Sequence, residues 1–254
     1  MLTVQDMPVL EYDDSPTSRF DPMQMGLPQF DTDKMILTFF REVLGKLKER
    51  GEIYEDSVIE GEDPIIVYRF KEHRDVLITA GQVGCPACGS NMDYFAARGI
   101  RRLMFCGGGG VLDKTIEVGQ ALLVDGAIRD EGFSYQYIPP SRIVYADTEV
   151  NDRIAGYMDE HDIPYIRGIV WTTDALFRET PDRIARRKEE GAKIVEMEQA
   201  GCLAVAQFRH MRYGALIYGG DDVSGERWSG REWRSREGVR YDLVQLCVRL
   251  LDVI

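Results

Sequence analysis

DVLITAGQVGCPACGSNMDYFAARGIRRLMFCGGGG, residues 75 to 110, is the stretch on which the fold turns. A run rich in branched apolar side chains ends at Ala80 and enters Gly81-Gln82-Val83-Gly84. A helix is expected from there to about Arg98, and a second apolar run, Leu103 to Cys106, ends in four consecutive glycines, Gly107 to Gly110. Strand, glycine turn, helix, strand and glycine turn make one βαβ unit. Toward the C-terminus, ALLVDGAI (121–128), YIRGIVW (165–171) and GALIYGG (214–220) read as further strands. Helical spacing is found in NDRIAGYMDEH (151–161), in PDRIARRKEEG (181–191), after Glu198 and near the C-terminus. Toward the N-terminus, IIVYRF (65–70) suits a strand, and TFFREVLGKLKE from Thr38 to Glu49 suits a helix. The expected architecture is a single α/β domain over residues 35–254, its mixed, largely parallel central sheet flanked by helices, with ligands bound at the carboxyl ends of the strands. Residues 1–34 carry Asp13, Asp14, Pro16, Pro22, Gly26 and Pro28 without periodicity and read as an N-terminal arm of the sort that lies on a partner subunit.

Composition narrows the function classes. The chain of 254 residues is 44% hydrophobic and 29% charged, ordinary globular values. No apolar run reaches the length of a membrane span, and MLTVQDMPVLEYDD has neither the basic region nor the apolar core of a signal peptide. A cytoplasmic protein without a membrane partner is expected. The net charge of −12 opposes binding of nucleic acid, which relies on clustered Lys and Arg. A small anion remains possible, because a few backbone amides or one arginine can hold it on an acidic protein. The five cysteines read as free thiols, and Cys85-x-x-Cys88 as packing at a helix start rather than as a metal site, since His73, His161 and His210 are scattered.

Three segments could carry chemistry. Gly107 to Gly110 would strip a loop of side chains and let amides approach a ligand, although a bare tight turn has the same composition. Glu196-Met197-Glu198 sets carboxylates on either side of a flexible apolar side chain; carboxylates accept paired hydrogen bonds from vicinal hydroxyls, and equally they suit a solvated helix start. Asp221-Asp222 follows a buried strand, where burial and a neighbouring charge can create a general acid, or where an ordinary Asp-rich turn would sit.

Taken in order, the segments resemble the nucleoside phosphorylase superfamily of purine nucleoside phosphorylases, uridine phosphorylases and adenosylhomocysteine nucleosidases, and look closest to its bacterial uridine-phosphorylase-like branch. The likeness spans residues 35 to 240 and is carried by TFFREV (38–43), CGGGGVLDK (106–114), AIRDEGFSYQYIPPSR (127–142), WTTDALFRETPDRIARRKEEG (171–191), VEMEQAG (195–201) and YGGDDVSGERW (218–228). It implies ribose contacts from Met197 and Glu198 with Glu196 nearby, a catalytic acid at Asp222, and a base pocket of Leu176, Phe177 and Asp221. It also implies a phosphate or nucleophile side at Gly84, Gly107, Gly108 and Gly109. No metal or cofactor is called for, phosphate being a co-substrate, and a homo-oligomer is expected. The sequence departs from the family at the arginine that precedes its second glycine segment, here Phe105, and at the Ser or Thr within it, here Gly108. The Gly-Asp-Pro-x-x-Arg segment is not found, nor a Gln-x-Arg pair after Phe177. The expectation is phosphorolysis of a purine nucleoside to base and ribose 1-phosphate; the alternatives are a hydrolytic nucleosidase, a uridine-type phosphorylase and a nucleoside-binding protein without turnover.

Overall fold

The computed structural model describes residues 2–233 and 237–254. In chain order its elements are β1 (Lys34–Thr38), α1 (Arg41–Glu49), β2 (Ile53–Ile59), β3 (Ile65–Phe70), β4 (Val76–Ala80), α2 (Cys85–Ala97), β5 (Arg102–Val111) and β6 (Ala121–Asp130). They continue as β7 (Ile143–Tyr145), α3 (Thr148–Glu160), β8 (Tyr165–Thr173), α4 (Pro181–Glu189), β9 (Ala192–Glu196), α5 (Gln199–Phe208), β10 (Arg212–Asp222) and α6 (Glu237–Leu250). One sheet holds all ten strands in the order β10-β6-β8-β9-β5-β1-β4-β3-β2, with β7 on β6 and a further pairing of β10 with β5. That last pairing closes β5, β10, β6, β8 and β9 into a ring, from which β1, β4, β3 and β2 extend as an open sheet.

Five of the ten pairings are parallel. The antiparallel ones are the β2–β3–β4 edge, β7, and the two joints of the ring, β10–β6 and β5–β9. Apolar side chains fill both sides of the open sheet: Leu37, Leu77, Met92, Phe95 and Leu103 pack together on one, Ile36, Ile78, Leu47, Met104 and Leu250 on the other.

Two expected features change. The helix read from Thr38 begins at Arg41, because KMILT forms β1 between β4 and β5. This strand is buried on both faces, so it lacks the polar-apolar alternation that marks a half-exposed one. It opens at Lys34, inside the span read as the arm, where Lys34 Nζ is held by Asp75 and Asp252 at 2.5 Å each.

The second change concerns Gly107 to Gly110, which form no loop. They continue β5 to Val111, and none has a positive φ. Their smallness serves packing. A Cβ on Gly108 would lie 2.6 Å from the Tyr218 ring, and one on Gly109 would lie 2.5 Å from Ile194 Cγ2 and 2.6 Å from the Val195 carbonyl oxygen. Side chains here would keep β9 and β10 from closing on β5.

Closure leaves one gap. β1 pairs with β5 only as far as Cys106, and β9 joins the same flank at Gly110. On that flank Gly107 to Gly109 therefore border a crevice with no paired strand, while β10 pairs with them on the other; here the neighbours of β5 diverge, and ligands enter sheets of this kind at such places.

The arm folds back on its own chain. Phe30 N donates to Arg98 O at 2.8 Å, the Arg98 guanidinium lies over the Phe30 ring, and buried Asp21 pairs with Arg209. Leu2, Val4, Met7 and Phe20 stay exposed.

Candidate active site

β9 delivers its last residue, Glu196, to the crevice, and the chain turns there into α5. Glu196 makes the turn possible. Its Oε2 accepts the amides of Glu198 at 2.6 Å and Gln199 at 2.7 Å, two donors that the start of a helix leaves unpaired. Its Oε1 accepts the hydroxyl of Thr172 on β8, which itself accepts the Ala200 amide at 3.0 Å. Both oxygens of Glu196 are thus occupied within the fold. The residue lies near the sugar position that the resemblance implies, as a brace rather than as an open acceptor.

Glu198 is arranged differently. Its Oε1 accepts the Gly84 amide at 2.8 Å, the Met197 amide also stabilises its charge, and no side-chain donor meets it among the described residues. Gly84 can aim its amide this way because it caps α2 with φ of 94°, a conformation natural only to glycine. Pro86 follows in the first turn of α2, where its missing N–H costs nothing. Gly84 accordingly serves the Glu198 carboxylate, and its amide is engaged there. Met197, between the two acids, is half-buried.

Glu196 is 6% exposed and Glu198 7%. Burial, followed by the charge of Glu198, pushes the Glu196 carboxyl up to about 8 against the pull of Thr172 and two amides. Burial also raises Glu198 to about 7, opposed by the Gly84 and Met197 amides. Hydroxyl donors from a vicinal diol would draw Glu198 back toward its ionised form.

The opposite wall is aromatic. Phe105 is buried on β5, with its ring 5.2 Å from that of Phe39, and the Phe39 ring fills the space a Cβ on Gly81 would need. The Gly81 amide is used by Thr38 O at 2.8 Å. A cation nevertheless stands at this end: Arg41, the first residue of α1, donates through Nη2 to Gly81 O at 3.2 Å. With β1 hidden in the sequence, Arg41 read as the middle of a helix, and its place at a strand end went unnoticed.

The third wall is the end of β10. Asp221 Oδ2 accepts the Trp228 indole N–H at 2.6 Å and lies 3.6 Å from the place a Cβ on Gly110 would take. Asp222 Oδ1 accepts the Ser224 amide at 2.7 Å, and its backbone exchanges two hydrogen bonds with Ser229. Each carboxyl of the acidic pair thus has one oxygen bonded, Asp221 to the Trp228 indole beside Gly110 and Asp222 within the turn.

Glu179, which follows the short 3-10 turn Leu176–Arg178, comes close to Asp221. Burial and then the charge of Asp221 raise its carboxyl to about 7, with Arg183 opposing. In the sequence it reads as an acid before a helix start at Pro181, with nothing to single it out. Leu176 and Phe177 lie on the surface, and the Phe177 ring, 91% exposed, is not brought against the other site residues. The cysteines sit behind the site as packing: Cys88 Sγ is 3.5 Å from Cys202 Sγ, and both are buried.

The crevice thus gathers a buried glutamate pair, acids at one end and an arginine at the other. Residues 34–240 match the family model described as Phosphorylase superfamily. A guanosine phosphorylase of Halorubrum lacusprofundi is 23% identical over 191 residues, 67% of this chain and 79% of that protein. The fold recurs in an AMP nucleosidase from Bacteroides thetaiotaomicron, with TM-score 0.69, 20% identity and coverage of 87% of this chain and 88% of that one. It recurs too in a purine nucleoside phosphorylase from Toxoplasma gondii solved with immucillin-H, with TM-score 0.70, 15% identity and coverage of 87% and 92%. The chain belongs to the phosphorylase superfamily.

Proposed function

We propose that this member of the phosphorylase superfamily is a purine nucleoside phosphorylase, transferring the ribosyl group from a purine to phosphate to give free base and ribose 1-phosphate. The observation that carries the reading is Glu198, a buried carboxylate met by backbone amides and by no side-chain donor among the described residues, which leaves it acceptor capacity for a ligand. A diol is the simplest neutral partner for such a group.

Cleavage of the N-glycosidic bond builds positive charge on the sugar and negative charge on the base, and rate comes from stabilising both in the transition state. Glu198 holds the 2′ and 3′ hydroxyls, Met197 packs against the sugar, and the carboxylate's charge favours the cationic ribosyl group. Asp221 is proposed as the acid, in place of Asp222. With Trp228 donating to Oδ2, Oδ1 can carry the proton toward the leaving base. Phosphate approaches the opposite face of the sugar, drawn by Arg41 and the free flank of Gly107 to Gly109. No metal or organic cofactor enters this reaction. The exposed side chains Leu2, Val4, Met7 and Phe20 support a homo-oligomer, which sedimentation at micromolar concentration tests directly.

Hydrolysis by water is the second reading, favoured by the Phe39–Phe105 pair on the nucleophile side. One experiment separates the two: a nucleoside panel incubated with and without phosphate, with ribose 1-phosphate and free ribose measured. Phosphate-dependent release of purine with ribose 1-phosphate supports phosphorolysis. Equal release of free ribose without phosphate replaces it by hydrolysis.

A further inference from the structure

α5 begins after Glu198, its N-cap, yet the Glu198 side chain caps nothing in its own helix. A polar N-cap side chain commonly accepts the amide two or three residues on, one of the four donors that a helix start leaves unpaired. Here all four are taken by other residues. Glu196 Oε2 accepts the amides of Glu198 and Gln199 at 2.6 and 2.7 Å, Thr172 Oγ1 accepts that of Ala200 at 3.0 Å, and Cys85 Sγ accepts that of Gly201 at 3.3 Å. The next amide, of Cys202, returns to Glu198 O at 3.0 Å and opens the regular ladder. The cap of α5 is thus supplied by the ends of β9 and β8 and by the start of α2.

Thr172 holds this cap from the neighbouring strand. It pairs with Glu196 in the parallel β8–β9 register and is fully buried. Its hydroxyl is used in both senses, accepting the Ala200 amide and donating to Glu196 Oε1. Thr173, the next residue, spends its hydroxyl on the Ala175 amide at 3.2 Å. Gly201 lets the third contributor approach, since a Cβ there would lie 2.8 Å from Cys85 Cβ.

We infer that Thr172 is a positioning residue for the sugar acceptor: by holding the Ala200 amide it keeps the Glu198 carboxylate from capping its own helix and leaves it on the Gly84 amide. Ala200 is fully buried, so its amide, once uncovered, is a donor that water does not satisfy. It lies two residues beyond Glu198, the place from which an N-cap side chain accepts, and Glu198 would leave Gly84 to meet it. The consequence for catalysis rests on the nucleoside-cleaving reading above; the exchange of partners by Glu198 does not.

The test uses the full chain as wild type, Thr172→Val and Thr172→Ser. Amide hydrogen exchange followed by NMR reads Gly84, whose N–H depends on Glu198 although it belongs to a distant segment of the chain. In Thr172→Val its protection should fall roughly 10- to 100-fold, the worth of one hydrogen bond to a charged acceptor, while Ile78 in the open sheet keeps its own. Thr172→Ser retains the hydroxyl and should retain the protection. Should Thr172→Val not fold, Thr172→Cys puts a weak acceptor in the same place and should lose part of it. In kinetics, kcat/KM of Thr172→Val for a purine ribonucleoside should drop by a similar roughly 10- to 100-fold. The drop should be smaller for the 2′-deoxynucleoside, which offers Glu198 one hydroxyl in place of two, and the KM for phosphate should not move. Unchanged Gly84 protection in Thr172→Val, a fall shared equally by Ile78, or equal losses on the two sugars overturns the inference. If wild type cleaves no nucleoside with or without phosphate, the catalytic reading fails, and the protection of Gly84 still decides whether Thr172 holds Glu198 in place.

Discussion

The end of the crevice proposed to hold the sugar and the end proposed to hold the base are built on opposite plans. At the sugar end, Glu196 and Glu198 are nearly fully buried, and four donors from Thr172, Glu198, Gln199 and Gly84 fix their oxygens. At the proposed base end, among the described residues, Glu179 makes no hydrogen bond, Asp221 makes one, and Trp228 stands in solvent. A ribose is the same in every nucleoside, so its acceptor can be preorganised. Bases differ, and an end that reads them keeps groups whose partners arrive with the ligand. Substitutions at the first end should therefore alter binding and turnover of all substrates together, and those at the second should alter which substrate is chosen or how fast its base leaves.

The largest effect is expected from Asp221→Asn, which keeps the shape and the Trp228 bond but removes the acidic proton. kcat for a purine nucleoside should fall about 10²–10⁴-fold, the contribution of a general acid, with KM little changed. Asp222→Asn is the comparison, since Asn can still accept the Ser224 amide. Rapid-quench kinetics that found Asp222→Asn damaging and Asp221→Asn silent would return the acid to Asp222 and break the division of labour within the pair.

Next in size is Glu198→Gln. Its Oε1 can still accept the Gly84 amide, so the fold should hold, but the charge that meets two hydroxyls is gone. With each such bond worth about 1.5–3 kcal/mol, kcat/KM should drop roughly 10²–10⁴-fold for every nucleoside cleaved. A loss confined to one base would contradict the assignment to the sugar.

Arg41→Gln addresses the nucleophile side. One charge-assisted contact removed should raise the KM for phosphate about tenfold while nucleoside binding stays the same. Initial rates across a phosphate titration decide it, and an unchanged phosphate KM would shift weight to water as nucleophile.

The smallest effect concerns pH. Glu196 and Glu198 have folded pKa values raised to about 8 and about 7, above the 4.5 of an exposed glutamate, so the folded chain binds more protons than the unfolded one in between. The stability they contribute is fully present below about pH 4.5 and is lost as pH rises through 7 to 8. Tm measured by calorimetry should decline over that window. Glu196→Gln, an isostere of the protonated acid whose oxygen can accept both amides, should flatten the decline. A mutant profile parallel to wild type would mean that Glu196 is already ionised in the fold.

The βαβ core was legible because its elements differ in period and composition: VLITA and LMFC are short branched runs, and the segment between them opens on Gly84-Cys85-Pro86. Glu198 was singled out by the family resemblance, since two acids before AGCLAVAQF suit a solvated helix start as well as a sugar. β1 was not legible, being apolar on both faces and continuous with the helix behind it, and Arg41 was hidden with it. Glu179 carries no local signal at all; what distinguishes it is Asp221, 42 positions later in the chain.

By itself the sequence determined the alternation of strands and helices, since hydrophobic period and glycine placement are local properties. It also determined the residue types able to hold a sugar and protonate a base, because side-chain chemistry travels with the residue. The tertiary structure decided that Gly107 to Gly109 are a strand flank beside a gap, that Gly84 serves Glu198, and that Asp221 meets the Trp228 indole while Asp222 meets the Ser224 amide. These depend on which strands close the ring and on how the ends of β4, β5, β8, β9 and β10 converge. Contacts between residues a hundred positions apart follow from packing and loop closure, which no local window of sequence contains.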